Sequence, residues 1–201
     1  MPRDSDLAAI AEETYAAPPS FHAGDVHAFS TLCAGIPVLA VRGSTRDPRD
    51  WLRDFAALPV YSEKLRGFAH EGFLRGASDL FPSLPRDILA GAVLTGHSMG
   101  GAIAVLLAAL LCAEGKMPRA VVTFGAPRAL SWRIRHLVRA IPMRLYRCGD
   151  DPVPDLPWLP GVYLHPRPLI AIGSPSLDPI ADHAIAQYRA ALGASEEKTV
   201  W

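Results

Sequence analysis

Ser98 stands at the centre of Gly96-His97-Ser98-Met99-Gly100, a G-x-S-x-G pentapeptide. Residues 89–95 before it form an apolar run of strand length, and Met99–Ala113 after it reads as a helix. A strand that turns abruptly into a helix holds the residue at the bend in a strained conformation and pushes its side chain outward. The segments on either side crowd each other, so the positions two before and two after must be small, as Gly96 and Gly100 are. The hydroxyl would then sit at a helix N-terminus, where the Met99 N–H and the helix dipole can stabilise an oxyanion. The chemistry this spacing predicts is nucleophilic attack on an acyl carbon.

A serine hydroxyl is a poor nucleophile without a base. Histidines occur at 22, 27, 70, 97, 136, 165 and 183. On an elbow of this kind the chain order is serine, acid, histidine, which leaves His136, His165 and His183 after Ser98. His183, in Asp182-His183-Ala184-Ile185, opens the last helical segment and can hang over the sheet edge. His165 lies in a proline-rich stretch where a backbone hydrogen bond is the simpler role, so His183 is preferred. Asp151 is the preferred acid, because it follows an apolar run and is stiffened by Pro152-Val153-Pro154. Asp150, Asp155, Asp178 and Asp182 compete with it, Asp182 reading as a helix cap. His97 is expected to pack against the sheet. A second oxyanion donor should leave another strand end, and Arg42-Gly43-Ser44 is suitable: Ser44 offers both an N–H and a hydroxyl.

These groups need a frame. Apolar runs without alternation at Ile36–Val41, 91–95, Ala120–Phe124 and 143–146 read as strands covered on both faces. Helical candidates fall at 5–17, 48–57, 64–80, Met99–Ala113, 127–139 and 179–192. Strand alternating with helix predicts an α/β fold with a mostly parallel central sheet and helices on both faces. In such sheets sites form beyond the carboxyl ends of the strands, where Arg42-Gly43-Ser44, Ser98, Gly125-Ala126-Pro127 and Gly149-Asp150-Asp151 fall. Residues 147–178 hold prolines at 152, 154, 157, 160, 166, 168 and 175 and no clean period. They read as one stiffened loop excursion near the site. Its apolar residues Val153, Leu156, Trp158 and Leu159 are candidates to line an acyl chain.

With those residues in place, the chain resembles the lipase class 3 family, the fungal-type triacylglycerol lipases and their bacterial relatives. The resemblance rests on Val41-Arg42-Gly43-Ser44 with Asp50-Trp51-Leu52-Arg53-Asp54, and on His70-Glu71-Gly72-Phe73. It continues through Thr95–Ala102, Val122-Thr123-Phe124-Gly125-Ala126-Pro127-Arg128 and Asp151-Pro152-Val153-Pro154-Asp155-Leu156-Pro157 with Tyr163 and His165. The His183–Tyr188 spacing is similar to that of short bacterial members. The resemblance implies an α/β-hydrolase fold, a triad of Ser98, Asp151 and His183, and an oxyanion hole from Ser44 and the Met99 N–H. It also implies a lid over 45–55, whose six charged residues leave Trp51, Leu52 and Phe55 as a narrow apolar face. The activity implied is that of a lipase or esterase working on a small-molecule or lipid ester.

Composition narrows the alternatives. Half of the 201 residues are hydrophobic and a fifth are charged, enough apolar side chain for one folded domain. Lys+Arg and Asp+Glu number 20 each, so the basic surplus of a nucleic-acid binder is missing. Three widely spaced cysteines suit neither a disulfide framework nor a zinc knuckle. Neither a metal nor an organic cofactor is expected. The longest apolar run, 102–113, is too short to span a bilayer, which allows at most peripheral contact with a lipid interface. Charges at Arg3, Asp4, Asp6, Glu12 and Glu13 interrupt any signal-peptide core, so a cytoplasmic location is expected. An acyltransferase or thioesterase could use the same triad. A non-catalytic binding protein on this fold would be expected to have lost one of its members.

Overall fold

The computed structural model describes residues 1–45, 58–159 and 161–197. The helix expected over 48–57 and most of the lid segment lie outside the described residues. Seven strands form the main sheet in the order β1 (Phe21–Ala23), β2 (Val26–Cys33), β3 (Ile36–Val41), β6 (Val93–His97), β7 (Ala120–Phe124), β8 (Met143–Cys148), β9 (Leu169–Ile172). β1, β2 and β3 are antiparallel neighbours, and every pairing from β3 to β9 is parallel. Strands β4 (Pro59–Ser62) and β5 (Gly67–His70) make a separate hairpin.

Helices cover both faces, as the unbroken apolar runs require. On one face α2 (Glu71–Leu80) and, after the single turn α3 (Arg86–Leu89), α4 (Met99–Ala113) pack on Leu39, Val41, Leu94 and Val121. On the other, α1 (Asp4–Glu13) and α6 (Ile185–Glu197) pack on Val38, Val93, Val122 and Phe124. The apolar run 102–113 is therefore the buried part of α4. Among the described residues no helix is long and apolar enough to cross a membrane. Helix α4 ends in a left-handed Gly115, with the Lys116 and Gly115 N–H groups returning to Leu111 O and Cys112 O.

Three expected elements come out differently. The segment 64–80 is not one helix: 67–70 pairs with 59–62 as β5, and α2 begins only at Glu71. Gly67 permits this, since a Cβ there would stand 2.8 Å from Ile134 Cγ1. The helix expected over 127–139 shortens to α5 (Trp132–Leu137), because Leu130 instead bridges Ala69 and Leu164 in extended form. Nor is 147–178 a single loop. β8 runs to Cys148, and Leu169–Ile172 adds β9 alongside it.

Candidate active site

Ser98 lies at the bend between β6 and α4 with φ 55° and ψ −131°, a left-handed backbone held by a non-glycine residue. Such strain costs on the order of 1–3 kcal/mol and persists only where neighbours enforce it. Here a Cβ on Gly96 would come within 2.6 Å of the Gly100 carbonyl carbon, and one on Gly100 within 2.1 Å of Val41 O. The two glycines let strand, helix and the β3 exit meet at one point. The Ser98 N–H is held by Phe124 O at 2.9 Å.

The structure brings Ser98, His183 and Asp151 together. Ser98 Oγ is 2.9 Å from His183 Nε2, and His183 Nδ1 is 2.8 Å from Asp151 Oδ2. All three are buried, Asp151 completely. The carboxylate can only accept, so Nδ1 carries the proton and Nε2 is left to receive one from Ser98. Asp151 is itself fixed on three sides: by His183, by the Tyr188 hydroxyl on the same oxygen, and by the Val153 N–H on Oδ1 at 2.9 Å. Tyr188 projects from α6 one turn past the base; burial and then the Asp151 charge push its phenol well above the ordinary tyrosine value. It stays a neutral donor.

The oxyanion candidates fall on either side of this group. The Met99 N–H heads the first turn of α4, and Ser44 sits half-buried just past β3. β3 pairs with β6 in register Val41↔Gly96, which sets the Ser44 strand end beside the elbow.

His97 does more than pack against the sheet. Its Nε2–H donates to the His183 carbonyl at 2.7 Å, and its Nδ1 accepts from the Tyr15 hydroxyl at 2.7 Å. Burial, then the adjoining His183 ring, holds its imidazole well below the usual histidine value, so it stays neutral. Tyr15 in turn accepts from the Gly43 N–H. One polar chain thus links the Ser44 loop, His97 and His183. Tyr15 follows α1, which Asp4 anchors to Arg144 of β8 by two 2.6 Å bonds. Sequence reasoning missed Tyr15, because nothing in the α1 periodicity marks its hydroxyl as buried. It also undervalued His97.

The competing residues fall elsewhere. His165 Nε2 bonds Pro154 O at 2.7 Å, the backbone role expected for it. Asp155 pairs with Arg128 and Arg147. Asp182 does not cap a helix; its carboxylate accepts the Asp150 and Ser176 N–H groups. Of the acyl-lining candidates, Val153 is fully buried and serves through its backbone, Leu156 is half-buried, and Trp158 and Leu159 are exposed. Val153 therefore offers no surface to an acyl chain, because the same packing that fixes its amide on Asp151 encloses its side chain.

Comparison with known proteins follows the same lines. A family model described as lipase (class 3) matches residues 38–160. A secreted mono- and diacylglycerol lipase 1 of Fusarium solani is 30% identical over 163 residues, covering 76% of this chain and 48% of that protein. The Rhizomucor miehei triacylglyceride lipase superposes with a TM-score of 0.65 at 25% identity, over 77% of this chain and 63% of that one. A triacylglycerol lipase whose catalytic centre is described as a serine protease triad gives 0.63 at 25% identity, with the same coverage. The chain thus spans about half the length of the Fusarium protein and under two thirds of the two solved chains. The fold is the α/β-hydrolase fold of these lipases. The expected cytoplasmic location is overturned: the Fusarium relative is secreted, which points to an extracellular setting.

Proposed function

The chain belongs to the lipase class 3 family, and from that premise we propose that it hydrolyses carboxylic esters through an acyl-enzyme on Ser98. The observation that carries this reading is the unbroken hydrogen-bond line Ser98–His183–Asp151. In the proposed reaction His183 Nε2 takes the Ser98 proton as the oxygen attacks the ester carbonyl. Asp151 holds the imidazole in that tautomer and stabilises its positive form. The Met99 N–H and Ser44 receive the developing oxyanion. His183 then protonates the leaving alcohol, and a water activated by the same base releases the acid and restores Ser98.

The substrate class follows the family, which acts on lipid esters. Trp158 is 72% exposed beside the half-buried Leu156, which gives an acyl chain or a lipid interface an apolar surface on the loop past Asp151. The Fusarium relative acts on mono- and diacylglycerols by its name, and short-glyceride esters are the substrates to try first. The experiment is hydrolysis of p-nitrophenyl esters of increasing chain length, with and without added alcohol. Ser98→Ala should lower kcat by roughly 10⁴–10⁶, as for other triads. Retained turnover in that variant refutes the reading, and product transferred to the alcohol rather than to water would favour an acyltransferase.

A further inference from the structure

The acid and the base sit on two loops that the sheet does not hold. β8 and β9 pair as far as Cys148↔Ile172, and the last bond of that edge runs from Gly149 N–H to Ile172 O at 2.9 Å. Beyond it the chain that carries Asp151 and the chain that leads to His183 diverge. The next amide along, Asp150 N–H, goes to Asp182 Oδ2 at 2.9 Å. The same oxygen accepts Ser176 N–H at 3.2 Å, from the loop that precedes the His183 turn. Asp182 is thus joined covalently to the base and by hydrogen bond to the residue next to the acid.

The site is built to hold a carboxylate. Asp182 is 3% exposed, and a buried charge is costly unless donors meet it. Two backbone N–H groups converge on one oxygen; burial raises its carboxyl, but the Asp150 N–H and then the Ser176 hydroxyl and N–H outweigh it and leave the carboxyl below the ordinary aspartate value. Gly149 makes room, since a Cβ there would fall 2.5 Å from Asp182 Oδ2. The Cys148 thiol beside it is pushed up to about 11, first by burial and then by the Asp182 and Asp151 charges.

We propose that Asp182 is a positioning residue for the His183–Asp151 pair: its carboxylate locks the base-bearing turn to the acid-bearing turn where the sheet stops. The proposal rests on the triad reading above. The groups around it are Asp150, Asp151 and Cys148 from the β8 end and Ser176 and Asp178 from the incoming loop. The base itself faces Asp151, Ser98 and His97 from β6.

The test compares Asp182→Ala and Asp182→Asn with the parent chain, each normalised to active sites titrated with a fluorophosphonate. Asp182→Ala frees both amides and should lower kcat roughly 10–100-fold, with KM altered far less, the scale expected when a catalytic group is misplaced by about an ångström. Asp182→Asn keeps an acceptor oxygen and should recover most of that loss. Should the alanine variant fail to fold, Asp182→Ser, too short to reach both amides, takes its place against Asp182→Asn. Full kcat per titrated site in the variant that frees the amides, only the melting temperature falling, reduces Asp182 to a loop staple and overturns the proposal. A parent chain that takes no label on Ser98 overturns the triad reading itself, and the proposal with it.

Discussion

Gly125→Ala is the sharpest probe of the site's geometry. Gly125 follows β7 with φ +59°, and a Cβ there would lie 2.8 Å from Asp151 Oδ2 and 3.0 Å from both His183 Cε1 and His183 Nδ1. Two costs follow. An alanine in a left-handed conformation is strained by roughly 1–2 kcal/mol. For a chain of this size each kcal/mol lowers the melting temperature by about 2–4 °C. The second cost is positional. Ordinary contact begins near 3.4 Å, so the His183–Asp151 pair must move by about half an ångström to relieve the overlap. Asp151, the closest of the three contacts, is pinned by Tyr188 and Val153 and has little room to give, and the imidazole is displaced with it. Its bonds of 2.8 and 2.9 Å cannot both survive, and kcat should fall roughly 10–100-fold. Gly115→Ala is the control: φ is +73° and nothing lies within 4 Å of its Cβ. It should lose similar stability and no activity. Turnover of p-nitrophenyl esters per titrated site, together with calorimetric melting, separates the two costs. Equal melting losses with unchanged kcat in both variants would refute the placement of acid and base against Gly125.

Other substitutions bear on the neighbouring groups. Ser44→Ala should cost roughly 10²–10³ in kcat if its hydroxyl joins the oxyanion hole; an unchanged rate leaves only the N–H. Tyr188→Phe removes one of the three donors on Asp151 and should reduce kcat several-fold and stability by roughly 1–2 kcal/mol, read by kinetics and urea unfolding. His70 is 8% exposed and stacks on Phe73 at 4.0 Å; burial brings its imidazole down to about 4. The unfolded chain binds that proton near pH 6.5 and the folded chain does not, so stability falls as pH drops from 6.5 toward 4, by about 2 kcal/mol at pH 5. Denaturant unfolding at pH 7.5 and 5 should show this loss, and His70→Gln should remove it; an identical pH dependence in the variant would contradict the buried neutral state.

The central strands were legible because burial on both faces leaves an unbroken apolar run, and Ile36–Val41 and Ala120–Phe124 coincide with β3 and β7. β2 escaped notice for the opposite reason. It lies near the sheet edge, half exposed, and its Val26–Cys33 sequence mixes His, Ser and Thr with apolar residues. β9 was hidden because its apolar run Leu169–Ile172, strand-like in itself, is only four residues long and lies among the prolines that mark the stretch as loop. For 64–80, helical spacing in 71–80 was real but extended too far back, and pairing with Pro59–Ser62 decided the rest. Ser98 and Asp151, the expected nucleophile and acid, were readable because each follows a strand, and His183 because it opens the last helical segment. Tyr15, His97 and Asp182 were not, since their importance comes from partners 82, 86 and 32 residues away in sequence.

The claim on which the account rests is that the His183 imidazole makes Ser98 the nucleophile. The direct measurement is peptide mass mapping after brief exposure to one equivalent of a fluorophosphonate, run on the parent chain and on His183→Ala. A single adduct on Ser98, formed at least about a thousandfold more slowly in the variant, is the expected result. An adduct on another residue, or equal rates in both proteins, would contradict it.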